Sequence, residues 1–395
     1  MLVVGGQSVS LRWIESSAFL SVSSSSSICA GLTAAMLRVP IAATPMFIIL
    51  TVAMLVVATS SAGKLFNCTE AKAAGCECGV KASDIVCVDR GFTNVPANLS
   101  TDPSTVRALT VRQNRFTDGI LAGPIVYVGL TALYLDSDGI RRVVPGVFAN
   151  LTSLLTLVLA NNTLRSLDVG TFDGLSSLTL LDLADNHLYW LDAGVLTGDV
   201  LPALVTLDLA RCRINDVDVG ALTNLTRLQR IDMSGNRLDR LPPLGPGLTA
   251  LTVADFNSNR LGGVLDGSPT LCGVPSLERL ILSDNNIDRL NSRSFCPAVG
   301  HDCGAKLIEL VLRKNRLFDV ETGAWASLTA VERLDLSFNE LTHLNASDLP
   351  WDSLTKLIVH DNHWDCSGCV NSWLVDEFSV KHSNIGSNVR YVLHL

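Results

Sequence analysis

The sequence lacks the features of several protein classes. It has no long lysine and arginine run, and its formal net charge is −8, so nucleic acid or an anionic membrane is not an expected partner. It has no nucleophile elbow, phosphate-binding loop or H-E-x-x-H sequence, and of its seven histidines only His360 and His363 cluster. We therefore expect neither catalysis nor a cofactor. Since 48% of the residues are hydrophobic and only 17% are charged, the chain is too apolar to be disordered.

The sequence also lacks an apolar run near the N-terminus that is long enough to span a membrane. Residues 46–58 form an apolar run of 13 residues, followed by small residues at 59–63. A membrane-spanning helix needs roughly 18–20 apolar residues, so this run predicts the core of a secretory signal peptide that is cleaved at its C-terminal end. An uncleaved anchor that leaves the rest of the chain outside the membrane is the alternative.

The start of the chain is too long for such a signal. Some 45 residues would precede the apolar run if translation began at Met1, whereas Met36 gives a short leader carrying Arg38. We therefore predict a disordered or mis-annotated extension at 1–35 and a signal peptide at 36–63. The remaining chain has 28 basic and 37 acidic residues, net −9, and keeps ten of eleven cysteines. In an oxidising compartment these are expected to form disulfides.

One pattern, L-x-x-L-x-L-x-x-N-x-L, recurs along the chain, for example at 154–164, 178–188 and 331–341. The asparagine position of this pattern, here called the asparagine column, is occupied by Asn114, Asp138, Asn162, Asn186, Cys212, Asn236, Asn259, Asn285, Asn315, Asn339 and Asn362. Successive spacings run from 23 to 30 residues. Eleven units in register indicate a repeat array rather than two or three separate domains.

The period assigns a place to each position. Leucines two apart, such as Leu181 and Leu183, point to one side of a strand, so stacked units form a parallel sheet with leucines inside. Apolar residues five and ten positions after the column fill the far side of each coil. The column asparagines are expected to bond backbone groups of the turn and of the next coil. Cys212 is expected to be buried and structural, and Asp138 departs from the pattern.

Residues four positions before the asparagine column point out of the sheet on its inner side, and they are here called the concave column. They are Thr110, Tyr134, Val158, Asp182, Asp208, Asp232, Asp255, Ile281, Val311, Asp335 and Ile358. We predict a ligand-binding surface from Tyr134 to Val311. The four consecutive aspartates would stand about 4.8 Å apart, so mutual repulsion should raise their pKa values and favour a basic ligand. Alternatively, Arg211 and Arg230 already neutralise them.

These motifs resemble the leucine-rich repeat family, over about residues 65–374, and the unit length with a phenylalanine spine is similar to its typical extracellular subclass. The resemblance implies an α/β solenoid, a horseshoe with a parallel concave β-sheet and about eleven repeats. It implies a secreted or cell-surface protein that recognises a protein or glycan through the concave face. The alternatives are a structural matrix component without a dedicated ligand and a truncated receptor ectodomain. Within this family L-D-L is a common form of the motif, which weakens the case for an aspartate site.

Cysteines flank the repeats as they do in the caps of this family. The pattern at residues 64–100 is C-x7-C-x-C-x8-C, and the resemblance implies pairs Cys68–Cys78 and Cys76–Cys87. A zinc knuckle is the competing reading. Repeats then occupy 101–361. In the long unit near residue 300, a Cys296–Cys303 bridge is plausible, with Cys272 as a competing partner.

The segment 362–395 is similar to a partial C-terminal cap. Asn362, Trp364, Cys366, Trp373 and Leu374 match the family pattern, His363 replaces proline, and the spacing to Cys369 is C-x-x-C instead of C-x-C. The two later cysteines of the family pattern are missing, so we expect either that the sequence is truncated or that Cys366 and Cys369 pair with each other or with another molecule. A zinc site with His360 and His363 and a redox pair are two weaker alternatives.

Six N-x-S/T sequons occur, at Asn67, Asn98, Asn150, Asn161, Asn224 and Asn345. Asn150 and Asn224 share one register on the edge or back of the coil, while Asn161 lies closer to the inner sheet. Occupied sites must face solvent, so glycans would mark surfaces that are not buried in an interface.

Overall fold

A computed structural model describes residues 2–4, 7–14, 17–23, 69–79, 81, 83–244, 246–265, 271–295, 306–365 and 390–392. The chain divides into two compact units, Met1–Phe66 and Asn67–Leu395. The predicted signal peptide lies outside the described residues.

The first unit contains a small antiparallel sheet of three strands, Leu2–Val4, Gln7–Ile14 and Ser17–Ser23. The second strand pairs with both neighbours. The disordered or mis-annotated extension at 1–35 stays a prediction. In the described parts of the chain, no helix combines the length and the apolar composition needed to cross a bilayer.

The second unit is built on one sheet of fourteen strands that follow chain order. The strands are Glu77–Cys78, Asp84–Val88, Ala108–Arg112, Ala132–Tyr134, Thr156–Val158, Leu180–Asp182, Thr206–Asp208, Arg230–Asp232, Val253–Asp255, Arg279–Ile281, Glu309–Val311, Arg333–Asp335, Lys356–Ile358 and Arg390–Val392. The first pair is antiparallel and every later pair is parallel. The leucine-rich solenoid with its parallel sheet is therefore confirmed.

Regular structure outside this sheet is sparse in the described residues. Short parallel strands follow the asparagine column at Ile120–Leu121 and Arg142–Val143, at Trp190–Leu191 and Asp216–Val217, and at Gly262–Val264, Asn286–Leu290 and Asp319–Val320. One short α-helix covers Thr69–Ala73, and 3-10 turns cover Pro103–Thr105, Thr117–Gly119 and Ala346–Asp348. Turns and short strands thus form the far side of each coil, so the helical half of an α/β solenoid is small here.

The core follows the repeat period. Leu181 and Leu183 are fully buried, as are the bulky residues ten positions after the column, such as Phe148 and Phe172. These two rings lie parallel with centroids 6.4 Å apart. Each coil is too small to bury its own apolar face, so stability comes from stacking on its neighbours.

The asparagine column satisfies backbone groups, as predicted, but its inter-coil partners lie in the preceding coil rather than the next one. The Asn162 amide nitrogen donates to the carbonyls of Leu135 and Leu159 at 2.8 and 2.9 Å. Its Oδ1 accepts from the N–H groups of Asp138 and Ile140 at 3.0 and 2.9 Å. Because these backbone groups are buried from water, each asparagine removes several desolvation penalties at once.

The residue before each column position has a left-handed backbone. From Gln113 with φ +58° to Asp361 with φ +54°, all eleven coils repeat this conformation. Gly235 tolerates it without strain, whereas Phe338, with φ +56°, is a bulky residue that rarely adopts it. The turn out of the sheet therefore imposes one backbone geometry on side chains of every kind.

The cysteines agree with the predicted cap where they are described. Cys76 and Cys87 form a disulfide, which confirms one of the implied pairs. Cys78 and Cys272 are also disulfide-bonded. Cys68, Cys296, Cys303, Cys366 and Cys369 lie outside the described residues, so their pairings stay predictions.

Cys212 is fully buried, as its place in the asparagine column predicted, and its thiol forms no disulfide. Its thiol donates to the Leu183 carbonyl at 3.0 Å, and burial raises the pKa of the Cys212 thiol to about 12. We expect no alkylation by iodoacetamide in the native protein and full alkylation after denaturation, because only the exposed thiolate reacts. Peptide mass spectrometry at Cys212 measures both. Rapid labelling of the native chain would contradict this burial.

Candidate binding surface on the concave sheet

The concave column is continuous through the structure. Backbone pairing places Tyr134 beside Val158, Val158 beside Asp182, and Asp182 beside Asp208. The same register carries the column from Thr110 to Ile358. Every residue in it is partly exposed, while the residues directly before and after it in each strand are buried leucines or other apolar residues that face the core. One row of side chains therefore crosses the whole sheet.

Aspartates in this row have an internal role that the sequence did not reveal. Asp182, Asp208, Asp232 and Asp255 each accept a hydrogen bond from the backbone N–H two residues later, at 2.9–3.0 Å. Asp335 does the same with Ser337. These bonds hold the chain as it turns out of the sheet. The L-D-L form of the repeat thus has a structural explanation that needs no ligand.

The pKa values of three of these aspartates shift in the predicted direction but for a different main reason. Burial is the largest cause that raises the pKa of Asp182, Asp208 and Asp255, and the backbone hydrogen bond opposes it. Charges on neighbouring aspartates add to the rise, for example Asp232 acting on Asp208 and Asp255. Desolvation, not the mutual repulsion that the spacing suggested, therefore dominates.

Arginines beside the row neutralise part of its charge. The Arg211 guanidinium makes two hydrogen bonds of 2.7 Å to the Asp185 carboxylate, and this contact lowers the pKa of Asp185. The Arg211 charge also reaches Asp208, and the Arg230 charge reaches Asp255, lowering the pKa of each against the rise from burial. The predicted alternative, partial internal neutralisation, is therefore part of the structure.

An aromatic cluster near the C-terminal end of the sheet was missed from the sequence. The Arg313 guanidinium lies 4.1 Å from the centroid of the Phe338 ring, and the His360 ring meets Phe338 edge-on at 5.2 Å. Phe338 is 37% exposed and holds the left-handed conformation described above. Backbone strain of this kind often marks functional positions. The signal in the sequence that could have revealed this cluster is an aromatic residue directly before a column asparagine.

The predicted alternative sites have limited support. His360 Nδ1 lies 2.5 Å from the Asp361 carboxylate, and no group of three or more metal-ligating side chains occurs in the described residues. The cysteines of the zinc and redox alternatives lie outside them.

Among the sequons, Asn98, Asn150, Asn161, Asn224 and Asn345 are exposed, while Asn67 lies outside the described residues. Glycosylation stays a prediction.

Sequence and structure comparisons agree with this architecture. The leucine rich repeat family model matches residues 128–188 and 305–363. Comparison with curated proteins found no significant match. A chain from the octameric complex of latrophilin 3, Unc5D and FLRT2, in which FLRT2 contributes the LRR part, is similar with a TM-score of 0.57 and 22% identity. The match covers 80% of this chain and 91% of that chain.

Two further solved structures share the fold. In the Drosophila Toll–Spätzle complex the TM-score is 0.53 with 17% identity, covering 79% of this chain and 51% of the other. For a chain of the mouse RP105/MD-1 complex the TM-score is 0.54 with 17% identity, and the match covers 78% of this chain and 50% of that chain. The chain thus spans about half the length of these two chains. At this level of sequence identity, the similarity shows a shared fold and nothing more.

Proposed function

Because the chain is a leucine-rich repeat protein, we propose that it is a secreted or cell-surface recognition protein that binds a protein ligand through its concave face. The proposal assigns a binding role and no catalytic step. Its Asn67–Leu395 unit would lie outside the cell after removal of the predicted signal peptide at 36–63.

One observation carries this proposal: the concave column forms an unbroken, partly exposed row across the parallel sheet. The residues that flank the four central aspartates in this row are apolar or aromatic, with Tyr134 and Val158 before them and Ile281 and Val311 after them. Protein interfaces combine such apolar anchors with a polar surround, and tyrosine is common among their strongest contacts. The central aspartates favour a ligand with a basic segment between two apolar contacts.

The similar structures support the same role. Toll is solved with Spätzle, RP105 with MD-1, and FLRT2 within an assembly with latrophilin 3 and Unc5D. The disulfide between Cys76 and Cys87 fits an oxidising compartment. Both observations favour an extracellular protein with a protein partner.

A binding screen with matched variants tests the proposal. The full chain is screened against a panel of secreted proteins and receptor ectodomains, and each ligand found is titrated against Tyr134→Ala/Val158→Ala. Losing these anchors should weaken binding at least tenfold, a change of about 1.4 kcal/mol or more. Val169→Ala/Val219→Ala is the control, because these valines are 69% and 71% exposed outside the concave sheet. The control should bind within twofold of the original protein.

Two results would contradict the proposal. One is a ligand whose affinity falls equally in the two double variants, because the concave row would then have no special role. The other is a product that stays inside the cell when it is expressed with its own N-terminus.

A further inference from the structure

One lateral edge of the solenoid carries an exposed arginine on six of its first seven coils. These residues lie one or three positions after the asparagine column, and they are here called the arginine edge: Arg115, Arg141, Arg165, Arg213, Arg237 and Arg260. Sequence neighbours within this set are 23 to 48 residues apart, so no basic run appears in the linear sequence. The register of the coils brings them onto one side.

Backbone hydrogen bonds fix that register. The N–H one position after the column donates to the carbonyl two positions after the preceding column, as from Arg237 to Ile214 at 2.7 Å and from Arg260 to Leu238 at 2.8 Å. Residues two positions after the column are buried, so those at one and three share the solvent side. At about 4.8 Å per coil the edge spans roughly 30 Å.

The coil without an arginine places His187 and Tyr189 at these positions in the middle of the edge, and Trp190 follows at the position that Arg142 and Arg240 occupy in their coils. Tyr189 and Trp190 are 44% and 42% exposed. Burial lowers the pKa of His187, and the charges of Arg213 and Arg165 lower it further. That effect shows that the two flanking arginines act on this coil from both sides. Exposed aromatic side chains therefore lie between cations.

The charges of the arginine edge have no ionic partner among the described residues. In the described part of the chain none of the six forms a salt bridge or a side-chain hydrogen bond. By contrast, Arg142 and Arg240, only one position further along their coils, pair with Asp168 and Asp216 at 2.9 and 3.0 Å. Asp239 is the single acidic residue at the one- and three-position sites of these coils.

The N-terminal end of this edge is recessed. A cleft of about 470 Å³ is lined by Arg115 and Arg141 together with Asn114, Asp118 and Ser137. The Arg141 side chain packs over Gly119, where a Cβ would lie 2.7 Å from its Cγ. Two arginines thus line a solvent-accessible depression, although Asp118 and Asp138, which also line it, reduce its positive charge.

We propose that the arginine edge binds a linear sulfated polysaccharide, a site separate from the concave face. Guanidinium groups present paired N–H donors that suit sulfate oxygens as they suit phosphate. A cation on six of seven successive coils along one edge matches a regular polyanion, and Tyr189 and Trp190 offer amphipathic faces for sugar rings. The formal net charge of the whole chain is −8, with the edge included, and it opposes a densely charged duplex. The sequons described above lie off these positions, so glycans leave the edge accessible.

Heparin binding by the full chain provides the test. Arg213→Gln/Arg237→Gln/Arg260→Gln should weaken binding at least tenfold in 150 mM salt. It should also reduce the slope of log Kd against log salt by about two to three, because each arginine contact that is lost no longer releases counterions from the polyanion. The matched control is Arg142→Gln/Arg240→Gln/Arg279→Gln, which removes the same charge from arginines that are already paired. It should change affinity by less than threefold. Circular dichroism of both triple variants checks that they fold.

Further arms separate the possible ligands. Desulfated heparin should bind at least tenfold more weakly, and Trp190→Ala should weaken heparin binding several-fold. The proposal is overturned if heparin does not bind, if both triple variants lose affinity equally, or if polyglutamate or single-stranded DNA binds as tightly as heparin. Because the concave variants leave this edge intact, their result does not decide this one.

Discussion

Replacing Asn236 with alanine is expected to destabilise the protein by about 4 kcal/mol. The Asn236 side chain is 6% exposed and bonds four backbone groups at 2.8–3.0 Å. Its removal leaves the N–H groups of Cys212 and Ile214 and the carbonyl of Leu209 without this partner. Each buried group left unpaired costs about 1–3 kcal/mol, and some water entry reduces the sum. Met233 is less affected, because its carbonyl also accepts from Asn259 at 2.9 Å.

Urea unfolding followed by tryptophan fluorescence measures this loss. Asn215→Ala is the matched control, because Asn215 is exposed on a nearby turn and its side chain makes no hydrogen bond within the described residues. It should change the free energy of unfolding by less than about 0.5 kcal/mol. If Asn236→Ala costs no more than this control, the column does not stabilise the stack.

The sequence was sufficient to predict the stack of coils because every coil buries its leucines and turns out of the sheet in the same way. Leucine spacing determines which side of a strand is buried, and the column asparagine determines where the strand turns out. Both can be read from a single repeat and checked against ten others. The register of the concave column followed from this period, and the strand pairing confirms it from Thr110 to Ile358.

Other features depend on contacts between coils, which a linear pattern does not contain. The left-handed residue before each column position is glutamine, lysine or phenylalanine in some coils, so residue type does not reveal it. Burial of the aspartates depends on neighbouring coils, and the spacing alone suggested repulsion as the main cause of their pKa shifts. The arginine edge was hidden because its members lie about one coil apart, and a search for basic runs finds only adjacent residues.

Asp138 is the exception in the asparagine column, and replacing it with asparagine should stabilise the protein above neutral pH. Asp138 is fully buried. Its Oδ1 accepts from the Asn114 N–H at 2.7 Å, whereas its Oδ2 has no hydrogen-bond partner in the described structure. In the next coil the Asn162 amide nitrogen occupies the equivalent place and donates to two carbonyls. Only a protonated Asp138 can donate in the same way.

The pKa of Asp138 agrees with this geometry. The pKa of Asp138 is raised to about 7, mainly by burial. The hydrogen bonds from Asn114 oppose this rise, the Asp136 charge adds to it, and the Arg112 charge reduces it. An unfolded aspartate has a pKa of about 3.9, so between pH 4 and 7 the folded state binds more protons than the unfolded state. Stability therefore falls as pH rises through this window and is lowest above pH 7. A shift of roughly three units corresponds to about 4 kcal/mol.

Asp138→Asn removes this titration and supplies the missing donor permanently. We expect the free energy of unfolding to rise by about 3 kcal/mol at pH 8 and by less than about 1 kcal/mol at pH 5, where the carboxyl is already protonated. Urea unfolding of both proteins at the two pH values gives the difference directly. Asp239→Asn, at an exposed aspartate, controls for the loss of one negative charge and should show no such pH dependence. An equal gain at pH 5 and pH 8 would mean that the amide acts by shape alone and that Asp138 is not protonated in the fold.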